Sequence, residues 1–557
     1  LSFISAAYAY TGTFQWTKGS DLNLDFQAED SNGVVRSFNL GNTIQNSNVH
    51  ALNTSFNFDQ LYRSIGLVKK TNNPRGASRN ARVQPQQTQN NNSSSVGKKS
   101  VNTLIDIVTM VKRAQFTYQE NNGTFLPGYL PTPGWLGTMK PTFGYTFGSQ
   151  RDIRQLAAER GWLTNYEFFN QQYTELTNKS LDYSANLEPL RDLKIDIIGN
   201  RIYSESTSEN YRVTDGNYES LTPNTFGNFS ISTAIISTAF SRSDETQSVA
   251  FDNFRDNRLT IANRLATEFY GTSNFERDEE GFPVGFGKTN QSVVIPAFYS
   301  AYAGSNPDNV TTSAIRDVPI PNWIIKFTGL MRIPWFRNNF RRFSIQHGYR
   351  SSYTINQFRT NLAFDPDNPP DPNVPIEQQP DAVDQQGNFK NETLYSNINL
   401  EERFSPLIRL EFEMKNSVKV LLEAQRDRLL SLSLDNNLLT EVQGQEYIVG
   451  LGYRVKDLRI RSKIAGSRQV IKSDLNLRAD LAVRDNKTII RYLDVLESQI
   501  TAGQTIWTAK FTADYAFSKN LTGIFYLDYT FSDFAISTSF PQANLRTGVT
   551  IRYNFGN

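Results

Sequence analysis

Catalysis needs reactive groups that converge, and this 557-residue chain offers few of them. It has only two histidines, His50 and His347, far apart in sequence and with no serine or aspartate constellation around either, so both read as strand residues. Cysteine is absent, which removes disulfides, thiol nucleophiles and thiolate-bound metals together. The stretch GFPVGFGKT (281–289) approaches a phosphate-binding loop. That loop requires glycine, four residues and Gly-Lys-Thr, entered from a strand and leading into a helix. Phe282 stands where the first glycine belongs, Gly281 comes one residue too early, and the following SVVIP reads as extended. The stretch is read as a glycine-rich loop. Residues 364–390 are rich in proline and aspartate and carry Asp365, Asp367, Asp371, Glu377, Asp381 and Asp384, without the ligand spacing of a calcium loop. They read as a solvated, extended loop. On these grounds the sequence assigns no catalytic residue, cofactor or metal, and the chain is not read as an enzyme.

Charge narrows the partners. Lysine plus arginine number 57 against 55 acidic residues, so nothing demands nucleic acid. RIPWFRNNFRR (332–342) mixes Arg332, Arg337, Arg341 and Arg342 with Trp335, Phe336 and Phe340. Such a mix could bind nucleic acid, but at a membrane edge it would anchor at the interface and reach lipid phosphates, which is the reading preferred here. The basic, Asn/Gln/Ser-rich segment 69–99 is either a solvated loop or a contact for an acidic partner or anionic surface.

The elements that must position these residues are strands. TIWTAKFTADYAF (505–517) puts Trp507, Phe511, Tyr515 and Phe517 on one face and Lys510 and Asp514 on the other. LTGIFYLDYTFSD (521–533) sets Phe525, Leu527, Tyr529 and Phe531 against Asp528. LRTGVTIRYNF (545–555) sets Tyr553 and Phe555 against Arg552, and DLNLRADLAVR (474–484) sets leucines against Arg478 and Asp480. Similar alternation recurs at 43–58, 180–206, 226–238, 343–362, 407–434 and 445–456, where Glu411 and Glu413 join the polar set. These segments run about 10–13 residues, against about 5–6 for an average soluble strand and about 9–11 to cross a bilayer at a tilt. Aromatics near segment ends suit an interfacial girdle. Dense charge on the other face demands water, so a hydrated lumen is expected. The mean hydropathy of -0.48 agrees, because only alternate residues would face lipid.

The expected fold is therefore all-β: a transmembrane antiparallel β-barrel of roughly 16–20 strands, with inserted amphipathic helices and long loops. Lipid-facing or girdle positions are Trp507, Phe511, Tyr515, Phe525, Leu527, Tyr529, Phe531, Tyr553 and Phe555. Lumen-facing positions are Glu411, Glu413, Arg478, Asp480, Lys510, Asp514, Asp528 and Arg552. Insertions are expected at 59–113 (a basic loop or helix that includes the short apolar run 101–111), at 151–163 and 251–269 (helices) and at 364–390. Helix 251–269, with Phe254, Leu259, Ala262, Leu265 and Phe269 on one face, would either dock a partner or lie against the barrel mouth. The chain starts at Leu1 with alternation almost at once, and is read as a fragment of a longer protein that has lost its targeting segment.

Several stretches in order along the chain resemble the SprA/Sov family, the giant outer-membrane translocon of type IX secretion and gliding motility. They include LPGYLPTPGWLG (126–137), DIRQLAAERGWL (152–163), LEPLRDLKIDIIGNRIYSE (187–205), FGNFSISTAIISTAF (226–240) and SVVIPAFYSAY (292–302). IPNWIIKFTGL (320–330) with FSIQHGYRSSYTI (343–355) is the most distinctive pair. LSLSLDNNLLTEVQGQEYIVGLGYRV (430–455), RADLAVRDNKTIIR (478–491) and AISTSFPQANLRTGVTIRYNF (535–555) complete the set. The resemblance implies the C-terminal part of one very large single-chain barrel, of about 36 strands at the known upper end. It implies a gated lumen that passes folded cargo proteins to the surface of a Gram-negative cell. It also implies a PorV-type outer-membrane barrel, a periplasmic plug protein and a periplasmic peptidyl-prolyl isomerase as partners, besides outer-membrane lipid. The alternative is another outer-membrane transport barrel, such as a nutrient receptor or porin.

Overall fold

A computed structural model describes residues 2–29, 34–67, 108–134, 140–462, 469–495, 497–518, 520–536 and 539–555. Most of the basic segment 59–113 lies outside the described residues. The strands are β1 (Ile4–Thr17), β2 (Phe26–Glu29), β3 (Val35–Phe38), β4 (Asn42–Asn57), β5 (Val111–Tyr129), β6 (Tyr173–Leu190), β7 (Leu193–Thr214), β8 (Asn217–Ser232) and β9 (Asn322–Phe327). There follow β10 (Phe340–Thr360), β11 (Thr393–Tyr395), β12 (Asn397–Met414), β13 (Val418–Ser433), β14 (Leu438–Ser462), β15 (Gln469–Tyr492), β16 (Ser498–Ala516), β17 (Leu521–Phe534) and β18 (Gln542–Tyr553). Helices are α1 (Asp21–Leu24), α2 (Phe58–Ser64), α3 (Phe143–Thr146), α4 (Arg154–Glu159), α5 (Val249–Tyr270), α6 (Gln291–Ala303) and α7 (Pro334–Asn339).

All strands but β2 and β3 join one 16-stranded antiparallel sheet, ordered β1-β4-β5-β6-β7-β8-β10-β12-β13-β14-β15-β16-β17-β18, with β9 between β7 and β10 at one end and β11 beside β10. The fold class is all-β, as the alternation requires. Among the described residues β1 and β18 are its two outer strands and do not pair with each other. Many strands are longer than the 10–13 residues expected, β14 reaching 25. The reason lies in what the extra length carries.

Directly opposed residues in antiparallel strands share a face. One register row runs Ile345–Leu410–Leu422–Val449–Leu481–Ala509–Tyr529–Leu545 across β10 and β12 to β18. On that same face a parallel row runs Ile231–Tyr353–Leu400–Leu430–Glu441–Ile489. The first row is open to the surroundings, with Leu481 55% and Leu545 62% exposed, whereas Tyr353, Leu400, Leu430, Glu441 and Ile489 are fully buried. What buries them is residues 233–319. There α5 and α6 pack together with Phe254, Ile261, Val294, Phe298 and Tyr302 against the strands. A smaller module, residues 130–172, covers Ile44, Leu126 and Tyr211 with Tyr145, Ile153, Leu163 and Phe169. The strands thus run on past the apolar band to hold two packed modules on the same face.

The inserted helices differ in detail from expectation. Helix 251–269 is present as α5, capped by the Ser248 side chain and ended by left-handed Gly271. Its apolar face is buried inside the chain on α6, so it is not left for a partner, and Leu259 is 38% exposed on the opposite side. Expected helix 151–163 shrinks to Arg154–Glu159, because Gly161 turns left-handed at φ 62 and Leu163 then bridges Tyr129. SVVIP is helical, not extended: it lies in α6, where every residue from Val293 to Tyr302 is buried. A helix enclosed on all sides loses its amphipathic signature, and burial overrides the β-branched run and Pro296. Residues 364–390 form a loop with two short 3₁₀ turns, and Phe389 inserts into the large core.

Gly128 shows how tightly the small module sits. It adopts φ 74, and a Cβ there would fall 2.3 Å from Tyr211 Oη. That hydroxyl donates to Pro127 O at 2.7 Å. Gly128→Ala is expected to cost about 1–3 kcal/mol by overpacking and an unfavourable backbone angle, measurable as a lower urea midpoint at constant slope.

Candidate membrane and lumen faces

The polar face collects all eight expected lumen positions. A row on it runs Glu411–Leu421–Gly450–Asp480–Lys510–Asp528–Arg546, so three strand boundaries in succession oppose unlike charges. Such cross-strand pairs favour this register over a one-residue slip. Glu413, Arg478, Asp514 and Arg552 occupy neighbouring rows of that face. Arg342 holds Glu411 at 2.9 Å and Arg341 holds Glu413 at 3.3 Å. Arg478 holds Asp480 at 2.6 Å, and Asn476 Nδ2 donates to Asp514 at 2.7 Å. A groove of about 530 Å³ is lined by Arg409, Lys419, Arg454, Arg478, Asp480 and Asp514, together with apolar residues such as Leu421 and Leu477. Arg484, a polar-side residue of the sequence alternation not counted among the eight lumen positions, reaches Asp427 at 2.9 Å and Glu446 at 3.4 Å. Its place in the alternating run 474–484 was the available signal. Both signs are interspersed, so the face is wetted without being strongly cationic or anionic.

The opposite face gathers Trp507, Phe511, Tyr515, Phe525, Leu527, Tyr529, Phe531 and Tyr553. With Ile408, Leu422, Tyr447, Val449, Leu451, Tyr453, Leu481, Val483, Leu545, Val549 and Ile551, all of these but Tyr515 make a continuous apolar band, exposed or half-buried, over β12 to β18. A soluble protein rarely leaves so large an apolar surface open. Two expected girdle residues sit differently. Tyr515 is buried: Phe517 lies against it at 5.1 Å and its hydroxyl donates to Leu458 O at 3.0 Å. Phe555 lies beyond the end of β18, 91% exposed and stacked edge-on to Tyr553. The border of the band toward the modules is marked by Tyr447, Val483, Trp507 and Phe531, one register row.

Buried ion pairs fasten the larger module to the strands. Arg491 on β15 meets Glu441 on β14 at 3.1 Å, both almost fully buried, and Arg491 also donates to Ser243 Oγ and Asp244 O at 2.9 Å. Arg428 on β13 meets Glu402 on β12 at 3.1 Å and donates to Thr238 O. Hydrogen bonds from Thr246 and Arg242 hold the Asp244 carboxyl below the usual carboxylate range. In the same module burial lowers Arg316, which lies 3.3 Å over the Tyr299 ring.

The other sequence candidates resolve as structure. His50 and His347 are strand residues on β4 and β10. Lys288 pairs with Glu280 at 2.6 Å, and Phe282 is part of the core. Asp365, Asp371 and Asp384 accept bonds from backbone N–H groups two residues on. In 332–342, Arg332 pairs with Asp192, and Arg341 and Arg342 pair with Glu413 and Glu411, so three of its four arginines are engaged within the chain. Trp335 remains 61% exposed above a cluster of Phe336, Phe340, Phe343 and Phe412. Among the described residues no group of three or more acidic or histidine side chains could hold a metal ion, and no helix is long and apolar enough to cross a membrane.

No family model and no curated protein matches the chain. Among solved structures it is similar to the FrpB iron transporter from Neisseria meningitidis (F3-3 variant), at 10% identity, covering 99% of this chain and 63% of that one, with a TM-score of 0.27. It is also similar to OmpT, an outer membrane protein of Vibrio cholerae folded in vitro (trimer form), at 10% identity, covering 69% of this chain and 93% of that one, with a TM-score of 0.17. The chain spans less than two thirds of the length of the FrpB structure.

Proposed function

We propose that the chain forms part of the wall of an outer-membrane transport barrel, and within that class a protein-conducting translocon of the type IX secretion system. The observation that carries the barrel reading is the exposed apolar band on one face of the sheet, backed by a charged face. Lipid satisfies the first and a water-filled lumen the second. Barrel diameter grows with strand number, so 16 strands in one sheet suit a wide pore. The mixed signs of the polar face suit a conduit that passes varied cargo without holding it. The finer reading, translocon rather than nutrient receptor, rests on the ordered SprA/Sov resemblance. That reading brings with it cargo proteins, a PorV-type barrel, a plug and a peptidyl-prolyl isomerase as partners, and a need in gliding motility.

The sheet also suggests its own orientation. At one end β6–β7, β12–β13 and β16–β17 turn within a few residues, whereas the other end carries residues 130–172 and 361–392, and residues 233–319, inserted between β8 and β9, pack on the strands toward that end. Short turns belong to the periplasmic side and long loops outside.

Depletion of the protein in its own cells tests the function. The expected result is loss of secreted proteins from the medium and cell surface, with their retention in the periplasm. Undiminished secretion together with impaired uptake of a small nutrient would reject the translocon and favour the receptor.

A further inference from the structure

The aromatic border of the band is interrupted. Tyr447, Trp507 and Phe531 mark it on β14, β16 and β17, but the same row continues onto β13 and β12 as Ala424 and Ile408. There Phe240, from the larger module, lies 58% exposed, 5.4 Å from the Phe404 ring and beneath the Arg426 guanidinium at 5.2 Å. Its neighbour Ile236 is 40% exposed. At the other edge of the sheet β1 exposes Tyr8 and Tyr10 on the same face, and the next position on that face is Gly12. Again a module fills the place. Phe143 and Phe147 of the α3 turn, with rings 4.7 Å apart, are 60% and 56% exposed. The turn is fixed there: Tyr10 Oη donates to Phe147 O at 2.5 Å, Asn48 to Gly148 O at 2.8 Å and Asn46 to Tyr145 O at 3.1 Å.

We infer that the two inserted modules rest on the membrane surface at the long-loop end, with Phe143, Phe147, Ile236 and Phe240 dipping into the lipid interface and completing a girdle that the strands leave open. The occupant is lipid because these side chains continue an apolar surface already assigned to lipid, at the level where aromatic rings concentrate at a bilayer interface. Arg426 beside Phe240 places a cation at headgroup depth, where a long basic side chain snorkels favourably. The modules would then do more than cap strand ends, because they would fix the height and tilt of the wall in the bilayer. This inference rests on the barrel reading.

This chain has no cysteine, so once any cysteine outside it is replaced by serine, single-cysteine variants can be labelled cleanly. Phe147→Cys and Phe240→Cys in the full-length protein, each carrying an NBD fluorophore, are reconstituted in phosphatidylcholine vesicles. Leu451→Cys, at the centre of the band, and Leu362→Cys, 68% exposed in a long loop, serve as references. The inference expects both Phe positions to lose emission with a lipid nitroxide placed near the headgroup and to resist aqueous iodide. Quenching by iodide at the level of position 362 overturns it, as does protection from both quenchers, which would mean a protein partner seated there. If position 451 also fails to respond to a nitroxide deep in the acyl chains, the barrel reading has failed, not this inference alone.

Discussion

Leu527→Arg is expected to destabilise the protein in membranes by about 2–4 kcal/mol, while Thr530→Arg on the same strand changes stability little. Leu527 lies mid-strand on the apolar face, opposite Phe511 and Thr547. An arginine there must be drawn toward the interface or carry water into hydrocarbon. Thr530 opposes Thr508 and Asn544 on the polar face, where a guanidinium remains hydrated. Thr530 is the better reference than Asp528, because an arginine at 528 would stand between Lys510 and Arg546 and add repulsion of its own. Reversible urea unfolding in lipid vesicles measures the difference. Equal costs at the two positions would remove the assignment of faces, whatever the overall stability.

Arg491→Met is expected to cost about 3–5 kcal/mol, because it leaves the Glu441 carboxylate buried without its cation. The loss is also local. Ser243 and Asp244 lose their anchor on β15, and with them the turn that leads into the Ser248 cap of α5. Tryptic cleavage at exposed Arg242 should accelerate while the band remains protected. The double variant Glu441→Leu with Arg491→Met removes both charges and should recover most of the stability, since desolvation of the pair offsets much of its Coulomb energy. A double variant as unstable as the single one would show that the packing around Arg491, rather than the uncompensated carboxylate, sets the cost.

Much of the wall was legible because its period is short. Alternation of Phe525, Leu527, Tyr529 and Phe531 with Tyr526, Asp528 and Thr530 places each side chain on a face without knowledge of any distant residue. The same local rule put Glu411, Asp480, Lys510 and Asp528 together before any register was known. What escaped depends on long-range packing. Tyr515 follows the apolar alternation, yet its hydroxyl is claimed by Leu458, 57 residues away in sequence. The α6 segment carries a β-branched run and a proline, and only burial between α5 and the strands makes it a helix. That Leu422 and Leu430 share a face but meet different surroundings is equally hidden, since nothing near either residue marks where the modules begin.

The central claim is that one face of this sheet meets lipid and the other water, and a cysteine scan of 521–533 tests it most directly. Single cysteines in this cysteine-free stretch of the full-length protein, with any cysteine outside it replaced by serine, would be challenged in native outer membranes with a charged, water-soluble maleimide. The account predicts labelling at 522, 524, 526, 528 and 530 and protection at 523, 525, 527, 529 and 531. Labelling without a period of two, or protection of the even positions with reaction at the odd ones, would contradict it.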